Sequence, residues 1–311
     1  MAEMDPDSGT GWERKVLEKV ALAAIAEQRA ARRWGVAFKS LVLIYLFLVL
    51  FAGIGWLKHG DYRSPGRHSA LVELRGVIAP EGQASADNIT AGLQAAFKDS
   101  NTQGVILRIN SPGGSPVQAG YINDEIRRLR IKYPNIPLYA VVEDICASGG
   151  YYVAAAADSI YVDKASIVGS IGVVMDGFGF TGTMEKLGVE RRAIAAGENK
   201  KFLDPFSPLN PAHQEYAAKM LGEIHQQFIA VVRNGRGKRL LENPETFSGL
   251  VWVGQKSIEL GLADALGSVE SVARDVIKAE DVVDFTLREN IAERVARKFG
   301  AAMAEALLKI P

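Results

Sequence analysis

VVEDICASGGYY, from Val141 to Tyr152, is the stretch on which the reading of this chain turns. An apolar, β-rich run that begins at Leu138 ends against Glu143 and Asp144, and beyond Ser148-Gly149-Gly150 come two tyrosines and a series of alanines. That succession predicts a buried strand over 138–142 and a helix over 150–157, with Ser148 delivered to the turn between them. The first backbone N–H groups of a helix have no partner inside it, and the helix dipole favours negative charge there. Ser148 is therefore open to two readings. It is either a helix cap, a position that serine favours, or a hydroxyl presented for chemistry whose oxyanion those N–H groups would stabilise. Cys146 is the sole cysteine of the chain and falls inside the apolar run, so it reads as a small packed hydrophobe. A single cysteine also excludes an internal disulfide framework and a cysteine-rich metal site.

Outward from this stretch the pattern is that of an α/β domain. Strands are expected over 70–79, 105–110, 159–162, 171–175 and 190–195, and helices over 88–97, 117–133 and 183–187, with a long helix over 213–232 that Pro211 opens at its first turn. Strands alternating with helices imply a parallel sheet covered by helices. The chain has 311 residues, 48% of them hydrophobic, enough for a substantial core. Its 36 basic and 36 acidic side chains leave no basic excess of the kind a nucleic-acid partner calls for.

Before this domain lies an uncharged run, LVLIYLFLVLFAGIGWL, from Leu41 to Leu57, extended to residue 36 with only Lys39 interrupting. At about 1.5 Å per residue it just crosses a hydrocarbon core of roughly 30 Å, with Trp34 and Trp56 near the two interfaces. A transmembrane helix over 36–57 is expected. The alternative, a cleaved signal peptide ending near Gly53 and Gly55, has too long a segment ahead of it. Arg29, Arg32, Arg33 and Lys39 outnumber Lys58, Arg63 and Arg67, which places residues 1–35 in the cytoplasm and the body of the chain outside. Residues 58–68 read as a polar linker, with His68 inside it, and 281–311 as an amphipathic tail with Ile291, Val295, Phe299 and Met303 in one stripe.

A second glycine-bearing turn, Asn110-Ser111-Pro112-Gly113-Gly114-Ser115, comes after the strand at 105–110. Two glycines allow the backbone close approach and positive φ, leaving N–H groups free for an anion. The turn serves equally as an ordinary β-to-α loop. A serine nucleophile needs a base, and no GxSxG elbow occurs; His68, His213 and His225 read as surface or packing residues. Lysine is the other base that serves serine when its surroundings keep it neutral. Lys200 and Lys201 stand in AGENKKFLDPF, residues 196–206, although two adjacent lysines in a loop are equally plain solvated charges.

Taken in order, NSPGG, ASGGYY, the run Gly169-Ser170-Ile171-Gly172-Val173, GENKKFLDPF and Gly261-Leu262-Ala263-Asp264 resemble the signal peptide peptidase A group of the S49 serine peptidases in its short, single-pass membrane form. The resemblance covers about residues 70–267. It implies a crotonase/Clp-peptidase-like spiral of parallel strands and helices over 69–280. It also implies a Ser/Lys dyad of Ser148 as nucleophile and Lys200 as general base, with oxyanion N–H groups from Gly114 and Gly149 and with Ser170 orienting the lysine. The group's glycine three places before the lysine matches Gly197 and selects Lys200 over Lys201; Asn199 departs from the usual tyrosine or histidine. The activity implied by the same resemblance is that of a serine endopeptidase of the bacterial inner membrane, with its catalytic domain periplasmic, that acts on remnant signal peptides without metal or cofactor. A homo-oligomer of eight chains, with serine and lysine from neighbouring subunits, is implied as well. A crotonase-like acyl-coenzyme A enzyme and a non-catalytic oligomeric membrane scaffold are the alternatives.

Overall fold

The computed structural model describes residues 10–57 and 66–288, and of residues 10, 11, 13, 14, 30 and 49–57 the backbone alone. The chain divides into two units, Met1–Arg63 and Ser64–Pro311. The first contains one helix, α1, Thr10–Leu57, 48 residues long. No proline interrupts it, and its alanine-rich first half is strongly helix-forming. The side chains from Leu41 to Leu48 are all exposed. Among the described residues no helix is long and apolar enough to cross a membrane. The span expected over 36–57 is therefore not set off as an element of its own: it is the end of a helix that starts at Thr10, and the side chains of 49–57, which complete the run, lie outside the described residues. So do the linker residues 58–65 and the apolar stripe from Ile291 to Met303.

The second unit is mixed α/β, built on a largely parallel sheet. In chain order it contains β1 (His68–Arg75), α2 (Ala86–Lys98), β2 (Thr102–Ser111), α3 (Pro116–Lys132), β3 (Leu138–Ala147), α4 (Gly149–Ala154), β4 (Ser159–Val162), β5 (Ile167–Gly169), α5 (Thr181–Lys186) and α6 (Pro211–Arg236). After these come β6 (Val251–Val253), α7 (Gly254–Glu259), β7 (Ala265–Leu266), α8 (Val269–Ser271), which continues as a π-turn, and β8 (Val282–Asp284). The sheet order is β6-β5-β3-β2-β1-β8, with β4 beside the first half of β3 and β7 beyond it. Every pairing is parallel except β5 with β6.

Local sequence accounts for the main helices. Ser85 and Ser115 cap α2 and α3 by accepting from Asn88 N and Gln118 N, and Asn210 caps α6, with Pro116 and Pro211 in the first turns. The inner strands are apolar on both faces, as a covered parallel sheet demands. Along β2, Val105, Leu107 and Ile109 enter the large core with Ile89, Leu93, Ile122 and Ile126 of α2 and α3, whereas Ile106 turns to a smaller cluster with Val269 and Val272.

Several expected elements are corrected. His68 belongs to β1 rather than to the linker; it is buried, with its Nδ1 3.1 Å from Gly66 O. The strand expected over 171–175 lies earlier, at Ile167–Gly169, where β3 offers free backbone to pair with. Residues 190–195 form no strand: nothing pairs with them, and Ile194 is fully exposed. β3 runs on past Val142 to Ala147 through a register shift against β2, with Ile109 opposite Val142 but Ser111 opposite Cys146. Glu143 and Asp144 occupy that irregularity and turn outward, to Arg75 at 2.8 Å and Asn110 at 2.7 Å.

Candidate active site

The extension of β3 decides where Ser148 stands. Ala147 pairs with Gly169 of β5, and Ser148 then leaves the strand with φ 51° and ψ −123°, its N–H bonded to Gly169 O at 2.8 Å. A non-glycine residue held there costs about 1–3 kcal/mol. The side chain makes no capping bond to α4. The cap reading is thus excluded, and the hydroxyl is left for another use.

The turn after β2 packs directly on this step. A Cβ on Gly113 would fall 2.6 Å from Gly149 N and 2.7 Å from Ser148 Cβ, and one on Gly114 would fall 2.1 Å from Ile78 O. Both glycines hold positive φ, 100° and 147°, so side chains are excluded by space and by backbone conformation together. Ile78 N donates to Gly113 O and Ser115 N to Ile78 O, both at 2.8 Å, which turns the Gly114 N–H away from Ile78. A Cβ built on Gly149 would lie 3.3 Å from Gly114 N. The two amides are therefore neighbours, Gly149 in the first turn of α4 and Gly114 beside it.

Three buried side chains that sequence reasoning passed over fix this arrangement. Ser111 Oγ donates to Gly76 O at 2.6 Å and accepts from Gly113 N at 3.1 Å. Asn123 Nδ2 donates to Tyr152 O at 2.7 Å, and Tyr151 OH donates to Leu262 O at 2.8 Å. The serine of NSPGG and the first tyrosine of ASGGYY were the available signals. Cys146 is fully buried, and burial drives its thiol far above the ordinary range, so no thiolate competes with Ser148.

Ser148, Gly114, Gly149 and Ser170 line one cavity of about 770 Å³. Ser170 leaves β5 with φ 51°, as Ser148 leaves β3. The cavity walls are Val117 and Tyr121 of α3, Ile224 and Phe228 of α6, and Val173 and Val174. Neither lysine lines it, nor does any histidine. His225 Nε2 lies 3.1 Å from Ile171 O, and His213 Nε2 lies 3.2 Å from Asn199 Oδ1. Lys200 is exposed, and its amine makes no hydrogen bond or ion pair among the described residues. Lys201 donates to Ala193 O at 3.1 Å. The GLAD motif stands away from the cavity: Asp264 accepts from Ile160 N at 2.7 Å and takes both arms of buried Arg236 at 2.8 Å.

The second unit is thus a mixed α/β fold with a strained, uncapped serine between a strand and a helix and the amides of Gly114 and Gly149 close by. More narrowly, residues 130–283 match the model of peptidase family S49, and the chain carries a domain of that family. Gly114 precedes the matched residues; Ser148, Ser170 and Lys200 lie within them.

Three relatives bear on this. A protein of Brucella abortus named as a Na(+)/H(+) antiporter, NhaA, is 42% identical over 218 residues, covering 68% of this chain and 30% of that one. A putative protease of Methanocaldococcus jannaschii is 33% identical over 198 residues, covering 62% and 63%. A putative signal peptide peptidase SppA of Enterococcus faecium is 29% identical over 250 residues, covering 77% and 72%. The chain thus spans less than two thirds of the first two relatives' own length.

Proposed function

We propose that this chain is a membrane-anchored serine endopeptidase that cleaves apolar peptides, remnant signal peptides among them, with the body folded as a crotonase-like spiral. The observation that carries this reading is Ser148, strained, uncapped and set beside the N–H groups of Gly114 and Gly149 at the wall of an apolar cavity. Lys200, unprotonated, takes the proton of Ser148 Oγ. The alkoxide adds to the peptide carbonyl, and the two N–H groups hold the tetrahedral oxyanion. The lysine then returns the proton to the leaving amine. Water, deprotonated by the same lysine, hydrolyses the acyl-enzyme.

Lys200 would come from a neighbouring copy in a homo-oligomer, eight chains by family resemblance, with Ser170 of the receiving subunit orienting it. Its absence from the cavity of its own chain supports this arrangement. So do Val174, Phe178 and Ile194, 78–104% exposed in the segments flanking Lys200, a quantity of bare apolar surface that a second copy would cover. The uncharged run 41–57 would anchor the protein in the bacterial inner membrane with the N-terminus cytoplasmic. Protease added to spheroplasts should then digest the body and spare the first ~35 residues. The acyl-coenzyme A alternative finds no support in the cavity, whose one charged lining residue among the described residues of its own chain is a carboxylate.

Labelling with an inhibitor that forms an acyl-enzyme, followed by peptide mapping, tests the reading. The adduct should sit on Ser148 and vanish in Ser148→Ala. An unlabelled wild-type protein that also leaves apolar peptides intact would return the scaffold alternative.

A further inference from the structure

Asp124 is the one charged residue among the described residues that lines the cavity of Ser148. It lies on α3, on the face that also supplies Val117 and Tyr121, opposite Ile224, Gln227 and Phe228 of α6. It is exposed and makes no hydrogen bond or ion pair among the described residues. Its neighbour Glu125 is fully engaged, accepting from Nε and Nη2 of Arg128 at 2.6 Å and from Gln94 at 2.7 Å. Arg127, one turn along, lines a separate groove with Arg130 and Arg239 and is not among the residues that line this cavity. Burial raises the pKa of the Tyr152 phenol, another lining residue; the Asp124 carboxylate adds to that rise and Arg127 opposes it. The cavity thus combines the serine and its neighbouring amides, apolar walls, and a carboxylate on α3 that no hydrogen bond or ion pair engages among the described residues.

The helix sets the distance between the amides and the carboxylate. A Cβ built on Gly149 would lie 3.4 Å from Ala119 Cβ, so Ala119 stands level with the oxyanion donors. Asp124 is five residues further, about 7.5 Å along the axis. An extended peptide advances roughly 3.3 Å per residue, and a lysine or arginine adds the reach of its own stem. We infer that Asp124 selects, in the peptide substrate, a lysine or arginine side chain two to four residues from the cleaved bond. This rests on the peptidase reading, with the apolar side chains nearer the bond meeting the apolar walls of the cavity.

Apolar peptides with a single lysine or glutamine walked through the positions on either side of the bond test it on the full chain in detergent. At one of those positions kcat/KM should favour lysine over glutamine by about tenfold, the size of one charge pair in a partly screened site. Asp124→Asn should bring that ratio to about one, and Asp124→Lys should invert it. A wild-type ratio near one, or a preference that survives in Asp124→Asn, overturns the inference. Fluorescence anisotropy of the same labelled peptides on Ser148→Ala keeps the question apart from catalysis: the lysine peptide should bind about tenfold tighter and lose that advantage in the double variant with Asp124→Asn. Equal binding of both peptides overturns the inference whether or not the wild-type protein cleaves them.

Discussion

Ser148 holds φ 51° without the freedom of a glycine. Relief of that strain should exceed the roughly 0.5–1 kcal/mol of backbone entropy that a glycine brings to the unfolded chain. Ser148→Gly should accordingly melt higher than Ser148→Ala, by about 1 kcal/mol in calorimetry, while both lose peptide cleavage. A glycine variant less stable than the alanine one would mean that the turn is relaxed. The two lysines divide similarly. Lys200→Ala should abolish cleavage and leave the fold intact; Lys201→Ala, which costs only a bond to Ala193 O on an exposed loop, should retain most activity. Lys200→Arg, whose guanidinium does not give up its proton, should be as inactive as the alanine variant. If the alanine effects were reversed, the assignment would be off by one residue. Little at this scale is legible in the sequence. The residues around Ser148 allow both a cap and a nucleophile, and only its dihedral angles and missing cap bond set the cap aside. Lys200 is reached by resemblance, because a base that no local packing holds leaves no mark in its own neighbourhood.

At the scale of elements, α6 is tied to the sheet through Arg236, which is 1% exposed, and Asp264. Arg236→Ala would leave Asp264 with only Arg239 and Ile160 N and empty a buried site, so it should cost about 2–3 kcal/mol by chemical denaturation. Burial pushes the Asp264 carboxyl up, but hydrogen bonding and charge from Arg236, with help from Ile160 N and Arg239, outweigh it and hold the pKa below its ordinary 3.8. The pair's contribution is therefore complete above pH 3.8 and drains away as pH falls from there through the lower folded-state value. Asp264→Asn should flatten that part of the acid limb; an unchanged limb would assign acid sensitivity to other carboxylates. The elements that are legible in the sequence have room for a pattern, as with the apolar runs of β2 and β3 and the capped, proline-led α3 and α6. β6, β7 and β8, two or three residues each, are too short to show alternation, and their pairing depends on edges that distant parts of the chain supply. Residues 190–195 fail the other way, with a strand-like composition and no edge to meet.

For the whole molecule the decisive quantity is how many copies complete one site. Ser148→Ala and Lys200→Ala should each be inactive alone. If serine and lysine meet across subunits, mixed assemblies should recover about a quarter of wild-type activity, the chance that a given interface receives both intact residues. Coexpression of the two variants with differently tagged chains measures this, and no recovery would place both groups in one chain. A last consequence lies in the amides around the two kinked serines. The Ser148 N–H is given to Gly169 O at the end of β5, and the Ser170 N–H to Leu250 O just ahead of β6, the sole antiparallel edge of the sheet. Hydrogen–deuterium exchange should therefore find these two protons leaving together, in a single opening that begins where β6 peels away, well before the amides of β1 and β2 are touched.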